Sequence, residues 1–200
     1  MKIIIITGPS GSGKTSLGDE LLKNLRNSYI ISTDDFYKTG LISNLLSLFI
    51  NSYFDKKISH NDNLLKKYIK TILKNKSIDY YYKYDFKKKQ RDIIYTKPKK
   101  IQILIIEGIF VMDLINFLSK YDYLLINLKI NKSICMKRVI NRDQLERGKD
   151  KKKSIKDFKN AWKIYDFKKN YNINIDNQRL LVFKQDSKVN DILQKLNMKI

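Results

Sequence analysis

Four consecutive isoleucines, Ile3 to Ile6, run straight into Gly8-Pro9-Ser10-Gly11-Ser12-Gly13-Lys14-Thr15, and this junction limits what the chain can fold into. So apolar a run reads as a buried strand of a parallel sheet. The eight residues after it match G-x-x-x-x-G-K-[ST], a loop whose backbone N–H groups turn inward on phosphate oxygens because glycine has no Cβ to block their approach. Lys14 then reaches the β and γ phosphates. Thr15 offers its hydroxyl to Mg²⁺, and the helix beginning there sets its positive end under the triphosphate. Leu17, Leu21, Leu22 and Leu25 fall at helical spacing, so strand, loop and helix follow in the order the motif requires. A flexible Gly/Ser turn that binds nothing is the alternative. The pattern predicts nucleotide binding by residues 8–15, with Ser16 beside them.

Two hundred residues with 42% apolar content can bury one sizeable core, and no repeat or Pro/Gly/Ser-rich linker divides them, so residues 1–200 read as a single domain. The N-terminal apolar run is too short for a signal peptide, and no stretch approaches the length of a membrane span. The most apolar later segment, Leu41 to Ile50, is interrupted by Asn44 and Ser47. One cysteine, Cys135, allows neither an internal disulfide nor a zinc cluster; it reads as an inert helix residue in a cytoplasmic protein. The net charge of +21 would suit a polyanion, yet the lysine skew is spread over the whole chain. It reads as a solvated lysine-rich surface, with no dedicated nucleic-acid partner and no membrane.

Further strands end in acids. Ser28 to Ser32 reads as a strand leading into Thr33-Asp34-Asp35-Phe36-Tyr37-Lys38, and ligands of open α/β sheets lie beyond such carboxyl ends, so Asp34 or Asp35 should face the nucleotide. Ile101 to Ile106 reads as another buried strand, ending in Glu107-Gly108, where an acid holds Mg²⁺ directly or through water. Between them, residues 41–80 should cover the site, with Leu64, Leu65, Ile69, Ile72 and Leu73 on one helix face. An aromatic hairpin near residues 80–95 carries Tyr84-Asp85-Phe86 and a basic run from Lys87 to Arg91. His60, solitary in a polar stretch, reads as exposed, with contact to a bound base as the alternative.

Tyr123 to Ile130 reads as a strand, and Ser133 to Arg147 as a helix stopped by Gly148. Three of the six arginines, Arg138, Arg142 and Arg147, fall within ten residues there. Helical ion pairs, Arg142 with Glu146 and Asp143 with Arg147, are one reading. A phosphate-contacting lid near residues 142–153 is the other, since the guanidinium fork suits bridging phosphate oxygens.

Together these residues resemble the uridine kinase family of P-loop kinases, with nicotinamide riboside kinase a close relative. Four motifs carry the resemblance over residues 1–150: Gly8 to Thr15; Ser32-Thr33-Asp34-Asp35-Phe36-Tyr37-Lys38; Leu104 to Ile109 around Glu107-Gly108; and Arg142-Asp143-Gln144-Leu145-Glu146-Arg147-Gly148-Lys149. The resemblance implies a P-loop NTPase fold of the α/β class: about five parallel strands flanked by helices, with a small β-hairpin insert and a lid. It implies ATP and Mg²⁺ as cofactors and phosphorylation of a nucleoside 5′-hydroxyl, uridine or cytidine first. By the same resemblance Asp34 is the base, and Lys14, Arg142 and Arg147 stabilise the transferring group. Lys149 joins the nucleotide side, Thr15 and Glu107 hold the metal, and Asp34, Asp55, Tyr84, Phe86 and Arg138 hold the acceptor.

The departures fall on the acceptor side. Phe54 to Asp62 replaces a segment like Asp-His-Pro-Asp-Ala-Phe-Asp, and only Asp55 lines up well. Lys89 replaces a base-contacting histidine, Arg138-Val139 an Arg-Arg pair, and Leu180 to Phe183 the family's usual ending. Another acceptor, nicotinamide riboside or a phosphorylated sugar, is therefore the first alternative. A nucleotide- or RNA-binding protein that has lost catalysis is the second. Self-association is compatible with either.

Overall fold

A computed structural model of the chain describes residues 1–50, 53–169, 179–184, 190 and 193–194. Its centre is β1 (Lys2–Thr7), the isoleucine run, flanked in parallel by β5 (Ile103–Glu107) on one side and β6 (Tyr123–Lys129) on the other. Outside these lie β2 (Ser28–Ser32), parallel to β5, and β7 (Leu180–Lys184), parallel to β6, giving five strands in the order β2-β5-β1-β6-β7. Side chains alternate across a strand, so the run feeds two cores at once. Ile3 and Ile5 join one cluster with Leu65, Ile69 and Ile72 of α3 (Asp62–Asn75), while Ile4 and Ile6 join another with Leu17 and Leu21 of α1 (Lys14–Asn24). All four isoleucines are at most 1% exposed, and burying each contributes roughly 1.5–3 kcal/mol.

Strand ends are displaced by a residue or two from the sequence expectations, with one larger change. The hairpin is longer than residues 80–95: β3 (Ser77–Asp85) pairs antiparallel with β4 (Gln90–Lys100) down to Ser77↔Lys100. Its far half, Thr96-Lys97-Pro98-Lys99-Lys100, is exposed and carries no apolar alternation, and the register shifts there between Tyr80↔Tyr95 and Ile78↔Lys99. The basic run forms the turn, where Asp85 Oδ1 accepts the N–H groups of Lys87 (2.8 Å) and Lys88 (3.0 Å). Leu180 to Phe183, a departure from the resemblance, supplies the fifth strand.

Residues 41–80 divide their labour differently from expected. The apolar segment forms α2 (Leu41–Phe49), of which Leu41, Ile42, Leu45, Leu48 and Phe49 stay exposed. α3 packs into the main core along its apolar face and does not cover the site. Only the short turns between them, Tyr53–Asp55 and Lys57–Ser59, approach the site. After β5, a brief helix α4 (Ile115–Leu118) leads to β6; then come α5 (Lys132–Arg147) and α6 (Lys151–Lys169). Gly148 ends α5 in the left-handed conformation, φ 61°, its N–H bonded to Asp143 O. Among the described residues no helix is long and apolar enough to cross a membrane.

Candidate functional site

The parallel sheet brings the carboxyl ends of β1, β2 and β5 to one edge, and the registers align them: Ile6 and Ser32 both stand opposite Glu107. β1 delivers the loop Gly8–Thr15. Gly11 has φ 79°, and a Cβ there would lie 2.4 Å from Cys135 O of α5, so glycine is needed both for conformation and for close packing. Gly13 caps α1 without a side-chain hydrogen bond, which leaves the N–H groups of the first turn facing the loop. Lys14 is buried, and its Nζ donates to Gly8 O (3.1 Å) and Pro9 O (3.0 Å). Burial lowers the Lys14 ammonium below its ordinary range, against the upward pull of Glu107 and Asp34.

Glu107 is 3% exposed. Burial raises its carboxyl and Asp34 adds to the rise, while Lys14 and a Ser32 hydrogen bond oppose it. A buried acid held in this way favours a nearby cation. Thr15 Oγ1 lies 3.5 Å from Glu107 Oε1, two hard oxygen donors at the loop's mouth. No cluster of three or more His, Cys, Asp or Glu able to hold a metal occurs among the described residues. That donor set fits Mg²⁺, which takes one or two protein oxygens and completes its shell with phosphate and water. Ser12 Oγ is buried in the loop without a partner and fits a phosphate oxygen.

Asp34 and Asp35 share one short turn and separate in role. Asp34, its N–H bonded to Ser32 Oγ (3.3 Å), is half-buried and close enough to Lys14 and Glu107 to perturb both. Asp35 turns the other way. Its Oδ1 accepts the Tyr84 N–H (3.0 Å) and lies 3.8 Å from Lys83 Nζ, tying the turn to the end of β3. Burial still holds the Asp35 carboxyl above its usual range despite these bonds.

Beyond the turn lies an aromatic basin of Tyr37, Tyr84 and Phe110 with Phe54 and Phe86 against them. Tyr37 is its hub, within 5.1–6.2 Å of Phe54, Tyr84, Phe86 and Phe110. Its carbonyl accepts Arg91 Nη1 (2.9 Å), and its hydroxyl donates to Phe54 O (2.8 Å). Tyr84 and Phe86 thus stand together as the sequence suggests; Tyr37, Phe54, Phe110 and Arg91 are additions that only the fold reveals. The Asp55 side chain lies outside the described residues. Arg138 lies at the phosphate loop, its Nη1 facing Gly11 O (3.4 Å), because α5 packs Cys135 and Val139 on Gly11. His60 is corrected, being 3% exposed and bonded at both ring nitrogens.

At the end of α5, Arg142 Nη2 bonds its neighbour Asp143 (3.1 Å), and Lys149 Nζ reaches Asp143 (3.7 Å) and Asp157 of α6 (3.0 Å). Asp143 is 2% exposed and gathers the cations of this corner, a role hidden in sequence among neighbouring charges. The Arg142 charge is felt at Lys14. The Arg147 side chain lies outside the described residues.

The chain as a whole has counterparts among known proteins. The family model described as Phosphoribulokinase / Uridine kinase family matches residues 3–180. The chain belongs to that family. A uridine kinase of Borrelia duttonii is 31% identical over 153 residues, covering 74% of this kinase and 70% of that protein. One from Borreliella burgdorferi is 30% identical over 172 residues, covering 83% and 80%. In fold, the kinase is similar to YFH7 of Saccharomyces cerevisiae, described as a P-loop containing kinase with a circular permutation, at TM-score 0.66 and 12% identity over 92% and 93% of the two chains. It is also similar to a protein from Silicibacter described as a fructose transport system kinase, at TM-score 0.63 and 16% identity over 82% and 84%. This kinase therefore has the P-loop kinase fold and is a phosphotransferase acting on an alcohol acceptor.

Proposed function

We propose that the protein transfers the γ-phosphoryl group of ATP to the 5′-hydroxyl of a nucleoside, uridine or cytidine first. One observation carries this reading: the Tyr84 N–H bond to Asp35 Oδ1 couples the turn bearing Asp34 to the aromatic basin. Asp34, within electrostatic reach of Lys14 and Glu107, is thereby tethered through its neighbour Asp35 to rings suited to a flat base. Asp34 accepts the hydroxyl proton as the nucleoside oxygen bonds to the γ-phosphorus and the bond to the ADP oxygen breaks. Lys14 and Arg142 supply positive charge beside the transferring group, with Arg147 and Lys149 completing the lid. Thr15 and Glu107 would hold Mg²⁺, which would supply neutralisation of the phosphate charge. Tyr84, Phe86 and Asp55 hold the acceptor, and Arg138 stiffens the loop from outside. Lid closure over the site excludes water and suppresses ATP hydrolysis.

The test is ADP release with Mg-ATP against uridine, cytidine, nicotinamide riboside, a phosphorylated sugar and no acceptor. Stimulation by a pyrimidine nucleoside is expected, and stimulation by a different acceptor alone refutes the assignment. Asp34→Asn should abolish turnover while ATP binding survives; an active variant removes Asp34 from the chemistry.

A further inference from the structure

His60 is the chain's one histidine, and its side chain is fully buried, wedged between the turn that carries Asp34 and the start of α3. Backbone bonds on both sides hold it there: Lys38 N–H donates to Ser59 O (2.7 Å) and Asn61 N–H to Phe36 O (2.8 Å). The ring stacks on Phe110 at 4.8 Å and meets Tyr37 edge-on at 6.1 Å, so it backs the aromatic basin without entering it. Its two nitrogens have partners of one kind. Nε2 lies 2.8 Å from Thr33 O, a backbone carbonyl that can only accept; Nδ1 lies 2.8 Å from Asp62 Oδ1, a carboxylate that, ionised, can only accept. A neutral imidazole donates from one nitrogen alone, so it would leave one of these buried contacts as two facing lone pairs.

Asp62 is itself held in place from a second side. Asp62 faces the ring from α3, Lys57 binds the other Asp62 oxygen (3.3 Å), and Asp113 approaches Lys57 (3.8 Å). Burial would raise the Asp62 carboxyl, yet bonds from His60 and Lys57 overcome it and hold the group below its ordinary range. The carbonyl His60 grips belongs to the peptide joining Thr33 to Asp34.

We infer that His60 is an imidazolium clamp, bridging Asp62 to the Thr33–Asp34 peptide and so positioning the Asp34 carboxylate between the phosphate loop and the acceptor basin. The clamp rests on the reading of Asp34 as the base. It makes His60 a positioning residue that never touches substrate, and it commits the ring to being protonated on both nitrogens.

Because the chain has one histidine, ring ¹⁵N labelling reports on His60 alone. At pH 7 both ring nitrogens are expected at protonated positions, each with a one-bond N–H coupling; one unprotonated nitrogen overturns the clamp. His60→Phe keeps the stack on Phe110 and removes both donors. Its kcat should fall by about tenfold or more, as a misplaced reacting group requires, with KM for Mg-ATP within about twofold of the parent. A folded His60→Phe variant with unchanged kcat refutes the positioning role, and the ¹⁵N measurement on the unsubstituted protein decides the matter should that variant not fold. Asp34→Asn separates the two readings: if it stays active the base assignment fails, whereas an inactive Asp34→Asn beside a fully active His60→Phe removes only the clamp.

Discussion

Gly108→Ala tests how the metal-side acid and the Asp34 turn are held together. Gly108 follows Glu107 at φ 143°, a conformation L side chains rarely adopt, and a Cβ built there lies 1.8 Å from Thr33 Oγ1 and 2.9 Å from Thr33 Cβ. Restoring ordinary contact requires the Thr33 side chain to retreat by about 1.5 Å, but Thr33 is fully buried with His60 gripping its carbonyl. Overpacking at such a site costs about 1–3 kcal/mol, and the strained backbone about 1–3 kcal/mol more. The expected destabilisation is therefore ~2–6 kcal/mol, a large part of a typical domain's stability. A turn displaced by ~1 Å should also cost ~100-fold in turnover. Urea denaturation reads the first effect and ADP release the second. Thr33→Ala provides the internal control: its Oγ1 is buried without a partner, so removing it sacrifices no hydrogen bond and deletes the nearer clash. In the double variant roughly 1–2 kcal/mol should return, leaving the backbone strain and the 2.9 Å contact. A Gly108→Ala protein within about 0.5 kcal/mol of the parent, or a pair of substitutions that simply add, refutes the steric account.

Asp35→Ala removes the acceptor of the Tyr84 N–H and should raise KM for the nucleoside by about tenfold while leaving KM for Mg-ATP within about twofold; equal rises in both would place Asp35 on the nucleotide side instead. Asp62 has a folded-state carboxyl below its unfolded value of 3.8, so its stabilisation is present above that value and is lost as pH falls through the folded one. Asp62→Asn should accordingly cost about 1–2 kcal/mol at pH 7 by chemical denaturation, with the gap closing in acid; a gap constant across pH contradicts the ionic part of the clamp. Asp143→Ala removes the buried anion of Arg142 and leaves Lys149 paired with Asp157, and should depress kcat more than it changes nucleoside KM.

The chemistry at the nucleotide end was legible in the chain because it is local. Ile3 to Thr15 is one strand, one loop and the start of one helix, and each step is dictated by residue type within a few positions: apolar residues for burial and glycine for the turn. Glu107 was legible for the same reason, as an acid ending an apolar run. The end of α5 was legible from glycine at position 148, whereas the strand at Leu180 was not read from the sequence and emerged only with the edge that β6 offers.

At the aromatic basin the sequence resemblance pointed to Tyr84 and Phe86, and tertiary structure added Tyr37, Phe54 and Phe110. Tyr37, Phe54, Tyr84, Phe86 and Phe110 are drawn from four separate segments, and no spacing in the chain relates them; the Asp35–Tyr84 bond and the β3–β4 ladder bring them together. His60 shows the same division most sharply. A histidine in a polar stretch has no sequence partner to bury it, but Thr33 lies 27 positions away and supplies the carbonyl that does. Asp143, one charge among many, becomes the anchor of its corner because α6 folds back against α5 and excludes water from it. Sequence alone determined the strand, glycine loop and helix of residues 2–24, since backbone conformation and residue type act over short range; the membership of the aromatic basin was decided by which distant segments the sheet edge and hairpin press into contact.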